Sequence, residues 1–249
     1  MQIDLNADLG EGGAFDRELL ALVSSANISC GAHAGDHSTI ALAISIAREQ
    51  GVRIGAHPSY PDRENFGRLA MQLPIASLRQ HILAQLRYVR DLASEHEITL
   101  SHIKPHGALY NQLGQDEQLA QAFIQIVQEF DPTLPIVGLA GGVLLKLAQE
   151  KGLQTISEVF ADRRYQSNGE LLPRSAAKAV IEDTDEAVAQ SLEVIKTGAI
   201  RSIEGHRIAV RADTLCIHGD SKIALTFAQT LRKRLEQEGV MIRALSTAR

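Results

Sequence analysis

Asp4, Asn6 and Asp8 recur at every second position of the first apolar run, Ile3-Asp4-Leu5-Asn6-Ala7-Asp8. At strand periodicity they share one face, with Ile3, Leu5 and Ala7 on the other. Two carboxylates and an amide on a covered strand face are costly unless they are paired or hydrogen-bonded. They therefore mark a candidate site, and similar clusters recur along the chain. Asp8-Leu9-Gly10-Glu11 follows the first strand-like run, and Cys30-Gly31-Ala32-His33-Ala34-Gly35-Asp36-His37 the second. His57-Pro58-Ser59-Tyr60-Pro61-Asp62-Arg63, Lys104-Pro105-His106-Gly107, Gly138-Leu139-Ala140-Gly141-Gly142, Glu158-Val159-Phe160-Ala161-Asp162-Arg163 and His218-Gly219-Asp220 follow later ones.

Carboxylates with histidines and a lysine suit two chemistries. One is general acid–base work on a carbonyl or amide, with Lys104 or a histidine stabilising developing charge. The other is a water activated by a metal, for which Asp8, His33 and His57 are candidate ligands. The spacing allows a divalent metal without requiring one, because Gly35 and Asp36 make the segment around His33 a loop rather than a helix. Simpler readings stand beside these. Asp36 or Asp220 could cap a helix, and Asp162-Arg163-Arg164 could be a salt-bridged loop. Cys30 and Cys216 could be small buried hydrophobes. The glycines at 138–142 serve either an anion at a helix start or close helix packing. The chain contains no Gly-x-x-x-x-Gly-Lys-Ser/Thr and no Gly-x-Ser-x-Gly, so neither a P-loop nor a serine elbow is expected.

These residues need elements to position them. Strand patterns fall at 3–8, 26–30, 52–56, 98–103, 135–140, 153–159 and 213–217, with a short eighth at 240–244. Amphipathic segments lie between them near 16–25, 37–50, 75–95, 116–129, 142–151, 185–197 and 221–238. Gly51 and Gly152 read as helix C-terminal glycines, Asp131-Pro132 as a helix stop and Pro74 as a helix start. The alternation predicts one α/β domain on a parallel sheet, closed or open, over 1–249. A β-hairpin insertion is expected at 198–212. In either architecture ligands bind at the carboxyl ends of the strands, where the clusters fall. His33, His57, His106 and His218 belong to such loops, and His37 more loosely. His81, His96, His102 and His206 do not.

With 249 residues, 45% hydrophobic and 22% charged, the chain suits a single soluble barrel. A net charge of -5 carries no nucleic-acid footprint, and no apolar run is long enough for a bilayer. The two distant cysteines and the strand beginning at the N-terminus point to a cytoplasmic protein.

Six of these motifs, taken in order and with their flanks, resemble the LamB/YcsF family over almost the whole chain. They are Asp4–Glu11, Cys30–Asp36, Gly55–Asp62, Lys104–Asn111, Glu158–Arg163 and His218–Asp220. The resemblance implies a distorted seven-stranded parallel β/α barrel, similar to glycoside hydrolases and deacetylases. It also implies the role of the A subunit in an ATP-dependent 5-oxoprolinase. That enzyme opens the lactam of 5-oxo-L-proline to L-glutamate with ATP as cosubstrate, and its A component works with subunits B and C. On this basis Asp8, Glu11, His33, His57, Lys104, His106 and His218 are the expected catalytic residues. Asn6, Asp36, Asp162, Arg163 and Asp220 are expected to bind substrate. Asp8 or His57 would serve as base, Lys104 with His106 would face the oxyanion, Arg163 the substrate carboxylate and His218 the departing nitrogen. The alternatives are a stand-alone metal-dependent amidohydrolase or deacetylase, and a non-catalytic ligand-binding subunit.

Overall fold

The computed structural model describes residues 1–217 and 222–245. Its strands are β1 (Gln2–Leu9), β2 (Ser25–Ser29), β3 (Arg53–His57), β4 (Leu100–Ile103), β5 (Ile136–Leu139), β6 (Thr155–Phe160), β7 (Ala199–Arg201), β8 (Arg207–Ala209), β9 (Thr214–Ile217) and β10 (Met241–Ile242). Strands β1 to β6 run parallel in sequence order, and β9 pairs with both β6 and β1. Thr214 stands opposite Asp4 on one side and Glu158 on the other, so seven strands close a barrel. The sequence pattern left closure open; the β1–β9 pairing decides it. The 240–244 run lies beside the start of β1, with Gln2 opposite Met241. Residues 199–201 and 207–209 form an antiparallel hairpin inside the expected insertion.

The helices are α1 (Asp16–Leu20), α2 (His37–Gln50), α3 (Ile75–Glu95), α4 (Gly107–Leu113), α5 (Glu117–Phe130), α6 (Val143–Glu150), α7 (Thr184–Thr197) and α8 (Lys222–Gln237). Each strand sends one set of alternate side chains outward against this layer. In β1 the outward set is Ile3, Leu5, Ala7 and Leu9, all essentially buried. Burying a large aliphatic side chain contributes roughly 1.5–3 kcal/mol. No described helix is long and apolar enough to cross a membrane.

Two helical expectations change. The first helix stops at Leu20 rather than 25, because Leu22 and Val23 both bond back to Leu19 and the chain turns into β2. Helix α4 lies inside a motif that reads as a loop. Its seven residues have no capping side chain, and burial of Leu109, Tyr110 and Leu113 holds it instead.

The inward side chains are polar. Asp4, Asn6 and Asp8 of β1 form a network with Ser25 and Asn27 of β2, His102 of β4, Glu158 of β6 and Thr214 of β9. A side chain on Gly55 of β3 would sit 2.2 Å from the His102 ring, so this glycine makes room for the imidazole. Gly55→Ala should therefore cost about 1–3 kcal/mol, as overpacking does. Equilibrium denaturation would show the loss as a lower midpoint; an unchanged midpoint would mean that the ring is not wedged there.

Candidate active site

The floor of the barrel mouth is built on Lys104, the residue that follows β4. Its Nζ lies 2.9 Å from Asp8 Oδ1 and 2.7 Å from Glu158 Oε1. It also donates to Asn6 Oδ1 at 3.2 Å and lies 3.3 Å from Cys216 Sγ. Burial opposes the ammonium, but Asp8, Cys216 and Glu158 together raise the lysine pKa well above its usual value. Lys104 is therefore a fixed cation, neither base nor nucleophile. Asp8 Oδ1 accepts from Lys104 and from Asn27 Nδ2, the latter at 2.8 Å. Asp8 Oδ2 faces His57 Nε2 at 3.3 Å.

Beside this floor, His33, His57 and His106 converge on Glu11. Each ring has its outer nitrogen committed to the protein. His57 Nδ1 donates to the Lys104 carbonyl at 2.7 Å, and His106 Nε2 to the Phe66 carbonyl at 2.9 Å. His33 Nδ1 is 2.9 Å from Ser59 Oγ, whose own proton goes to the Tyr60 carbonyl. In the neutral rings the remaining nitrogens carry lone pairs. Burial first, and then the repulsion that the neighbouring His57 would add to a second charged ring, push both His33 and His106 down to about 3, so both are neutral near pH 7. His33 Nε2 is then 3.0 Å from Glu11 Oε1, and His106 Nδ1 is 2.9 Å from His57 Nε2. The four ligand-type atoms all lie within 4.8 Å of one another.

Such a convergence of acceptors requires a cation or shared protons between them. Imidazoles that donate their other N–H to carbonyls are oriented as metal ligands are. With one carboxylate they suit a borderline divalent ion such as zinc. Close packing supports the arrangement. His33 and His106 stack at 3.8 Å, and Gly67 lets them, because a Cβ there would be 2.9 Å from His33 Cβ.

Floor and cluster open into a cleft of about 590 Å³. One wall comes from α4 and its approach, with Pro105, Tyr110 and Asn111. Another comes from the long segment after β6, with Arg163, Gln166, Leu171 and Arg174. Tyr165 pins that segment by accepting the Phe160 N–H at 2.8 Å. Arg163 is 5% exposed, and its Nε has no partner among the described residues. The Tyr110 pKa is raised well above normal, by burial first and then by Glu158.

The candidate residues thus separate. Asp8, Glu11, His57, Lys104, His106 and Arg163 line the cleft, with His33 packed behind them. Asn6 lies beneath the floor, donating to Glu158 at 3.0 Å and to Thr214 at 2.7 Å. Asp162 is not among the cleft-lining residues, and its backbone carbonyl accepts from Ile181. Asp36 is exposed, and its carboxylate caps α2, accepting from Thr39 N at 2.8 Å, as the capping alternative has it. His37, at the start of α2, is 3.3 Å from the Tyr88 hydroxyl. His218 and Asp220 lie outside the described residues. The glycine loop serves packing: Gly142 N–H is spent on Leu139, Val143 N–H on Gly114, and a Cβ on Gly138 would press Leu145 at 3.0 Å. Sequence reasoning passed over Asn27, His102 and the role of Glu158. The signal was present, since Ser25, Asn27 and Ser29 repeat the polar alternation of β1.

A closed parallel barrel with acid, base and cation gathered at the carboxyl ends of its strands has the layout of a β/α-barrel enzyme. Residues 3–249 match the LamB/YcsF family, and the chain belongs to it. It is 47% identical over 241 residues to the A subunit of 5-oxoprolinase from Histophilus somni (strain 129Pt), covering 97% of this chain and 98% of that protein. The lactam utilization protein of Thermus thermophilus superposes with a TM-score of 0.91 at 41% identity, covering 98% of this chain and 100% of that one. A family 4 carbohydrate esterase from Streptomyces lividans shares the fold alone, with a TM-score of 0.50 at 13% identity, covering 99% of this chain and 93% of that one.

The position of Asp36 gives a direct check. Asp36→Ala should lower the melting temperature, as loss of a helix cap does, and leave turnover unchanged. A loss of turnover at normal stability would return Asp36 to the substrate-binding set.

Proposed function

We propose that this chain opens the lactam ring of 5-oxo-L-proline to L-glutamate, coupled to ATP hydrolysis, as the A component of a multi-subunit cytoplasmic 5-oxoprolinase. The observation that carries the reading is the buried Lys104 ammonium held between Asp8 and Glu158 at the floor of a cleft, beside four converging acceptors. It is supported by the name of the 47% identical relative, which covers nearly the whole chain.

The roles follow from the geometry. A five-membered lactam is unactivated and re-closes readily, so its opening needs the free energy of ATP. Attack of water on the lactam carbon places negative charge on the carbonyl oxygen. Lys104, unable to lose its proton in this setting, stabilises that charge. Asp8 turns Oδ2 toward the cleft and takes the proton of the attacking water. The Arg163 guanidinium, whose Nε has no partner among the described residues, receives the substrate carboxylate, a match that guanidinium groups make readily. His218 remains assigned to the departing nitrogen on the family motif alone.

Glu11, His33, His57 and His106 fit a divalent metal by donor type and ring orientation. An ion there supplies Lewis acidity toward a carbonyl oxygen. Of the candidate ligands, His33 and His57 stay in this set, while Asp8 is engaged by Lys104 and Asn27. The reading leaves nucleotide chemistry to subunits B and C, since the glycine loop at 138–142 spends N–H groups on its own packing.

The test is glutamate release from 5-oxoproline and ATP by this chain, alone and with its two partner subunits. Release only from the full mixture is expected, and Asp8→Asn or Lys104→Met should reduce turnover by at least about 100-fold. Near-normal turnover in both variants would sink the catalytic assignment. Hydrolysis of another amide by the isolated chain, without ATP, would favour the stand-alone amidohydrolase. Elemental analysis of the purified protein should find about one divalent ion per chain, lost in His33→Ala and His106→Ala. An ion content unchanged by both substitutions would remove the metal from this cluster.

A further inference from the structure

We infer that His102, although it does not line the cleft, is a positioning residue that keeps Asp8 and Lys104 in register by fixing the side chain of Asn27. The inference deepens the catalytic reading above and rests on it.

The argument follows the direction of each hydrogen bond. Glu158 is an acceptor, so Asn6 turns its Nδ2 toward it, at 3.0 Å. Asn6 Oδ1 then faces the other way, toward Asn27 and Lys104. Asn27 Nδ2 donates to Asn6 Oδ1 and to Asp8 Oδ1, both at 2.8 Å. Both its N–H bonds are thereby spent, and Asn27 Oδ1 is left pointing down into the barrel. There it meets His102 Nε2 at 2.7 Å. The amide has acceptors above it and a donor below, so only one orientation satisfies all three. Reversing it would set Asn27 Oδ1 against a carboxylate oxygen and leave buried groups unpaired, a costly state.

His102 is suited to this task and to little else. The residue is 5% exposed, and burial followed by the charge of Lys104 holds its pKa down to about 3, so it is neutral. Its other nitrogen, Nδ1, lies 2.9 Å from Ser101 Oγ. The neutral ring donates through Nε2 when Ser101 turns its single proton to Nδ1 rather than to the Ile54 carbonyl, also 2.9 Å away. Gly55 leaves the space in which the ring lies. The consequence appears at Asp8. With Oδ1 held by Asn27 and Lys104, Oδ2 is the oxygen turned toward His57 and the cleft. Without the His102 donor, Asn27 can rotate and Asp8 Oδ1 loses a donor that aims it.

The experiment compares His102→Leu, which has no donor, with His102→Gln, which keeps an N–H that can reach Asn27. Each is read by steady-state glutamate formation in the assembled enzyme and by a crystal structure of the variant chain. His102→Leu should lower kcat about 10- to 100-fold, the scale of a misplaced catalytic group, with KM for the lactam within about 3-fold. His102→Gln should recover most of the kcat. Asn27→Ala should match His102→Leu, and combining the two should cause no further loss, since both remove one interaction. The crystal structure of His102→Leu should show Asn27 reversed or Asp8 turned. Should His102→Leu fail to fold, His102→Asn, too short to reach Asn27, takes its place. Losses that multiply in the double variant, no recovery in His102→Gln, or an unmoved Asn27 and Asp8 would each overturn the inference. If the unmodified assembly formed no glutamate, the functional reading would fail instead, and the crystal structures would still decide the positioning.

Discussion

The ammonium of Lys104 inside the barrel is the constraint on which the rest depends. A buried cation is tolerable only when opposite charges and hydrogen-bond acceptors surround it. Asp8 and Glu158 supply the charge, and Asn6 supplies a further oxygen. Each of those groups is itself buried or nearly so, and each needs partners of its own. Asn6 finds Thr214, Thr214 donates to Asp4, and Asp4 accepts from Ser24 and Ser25. The polar requirement of one side chain at the mouth thus runs down the barrel. Burial raises the Asp4 pKa above its ordinary value, with the three hydroxyl donors acting against that rise.

This explains how the barrel divides its labour. Stability comes from the outer layer, where aliphatic residues of the strands pack on helices such as α2, α3 and α5. The interior of many β/α barrels is filled by branched aliphatic side chains. Here Val137 and Ile156 are apolar members of the lower interior, set among Asp4, Asn6, Ser25, Asn27, His102 and Thr214. Such a polar lattice costs stability if any member is left unpaired, but fully paired it fixes orientations that an apolar filling could not. Two functional groups stand on it: the Asp8–Lys104–Glu158 floor, and the histidines whose outer nitrogens are committed to carbonyls or a hydroxyl.

Much of this was legible in the sequence. The strand positions are periodic and local, and the observed strands agree with them to within a residue or two at most ends. The placing of the polar clusters after strands was also legible, because in a parallel sheet every such cluster emerges on the same side. What the pattern could not give was the pairing of groups distant in sequence. Asp36 lies in a motif beside His33, yet its carboxylate turns to the start of α2 rather than into the cleft. Asn27 and His102 sit within strands, where an amide or an imidazole reads as an ordinary buried polar group. Their importance is visible only when two residues 75 positions apart meet at 2.7 Å.

The sequence by itself therefore determined the order of strands and helices, the polar face of β1 and the family, and it offered as candidates Asp8, Glu11, His57, Lys104, His106 and Arg163, which line the cleft. Those follow from short-range periodicity and from motifs that each span a few residues. Tertiary structure alone decided that β9 closes on β1 and that Lys104 bridges Asp8 and Glu158. It alone decided that Glu11 joins three histidines, and which nitrogen of each ring faces inward. The physical reason is that charge pairing and hydrogen-bond direction act over a few ångströms in space, whatever the separation along the chain, and only barrel closure sets those distances.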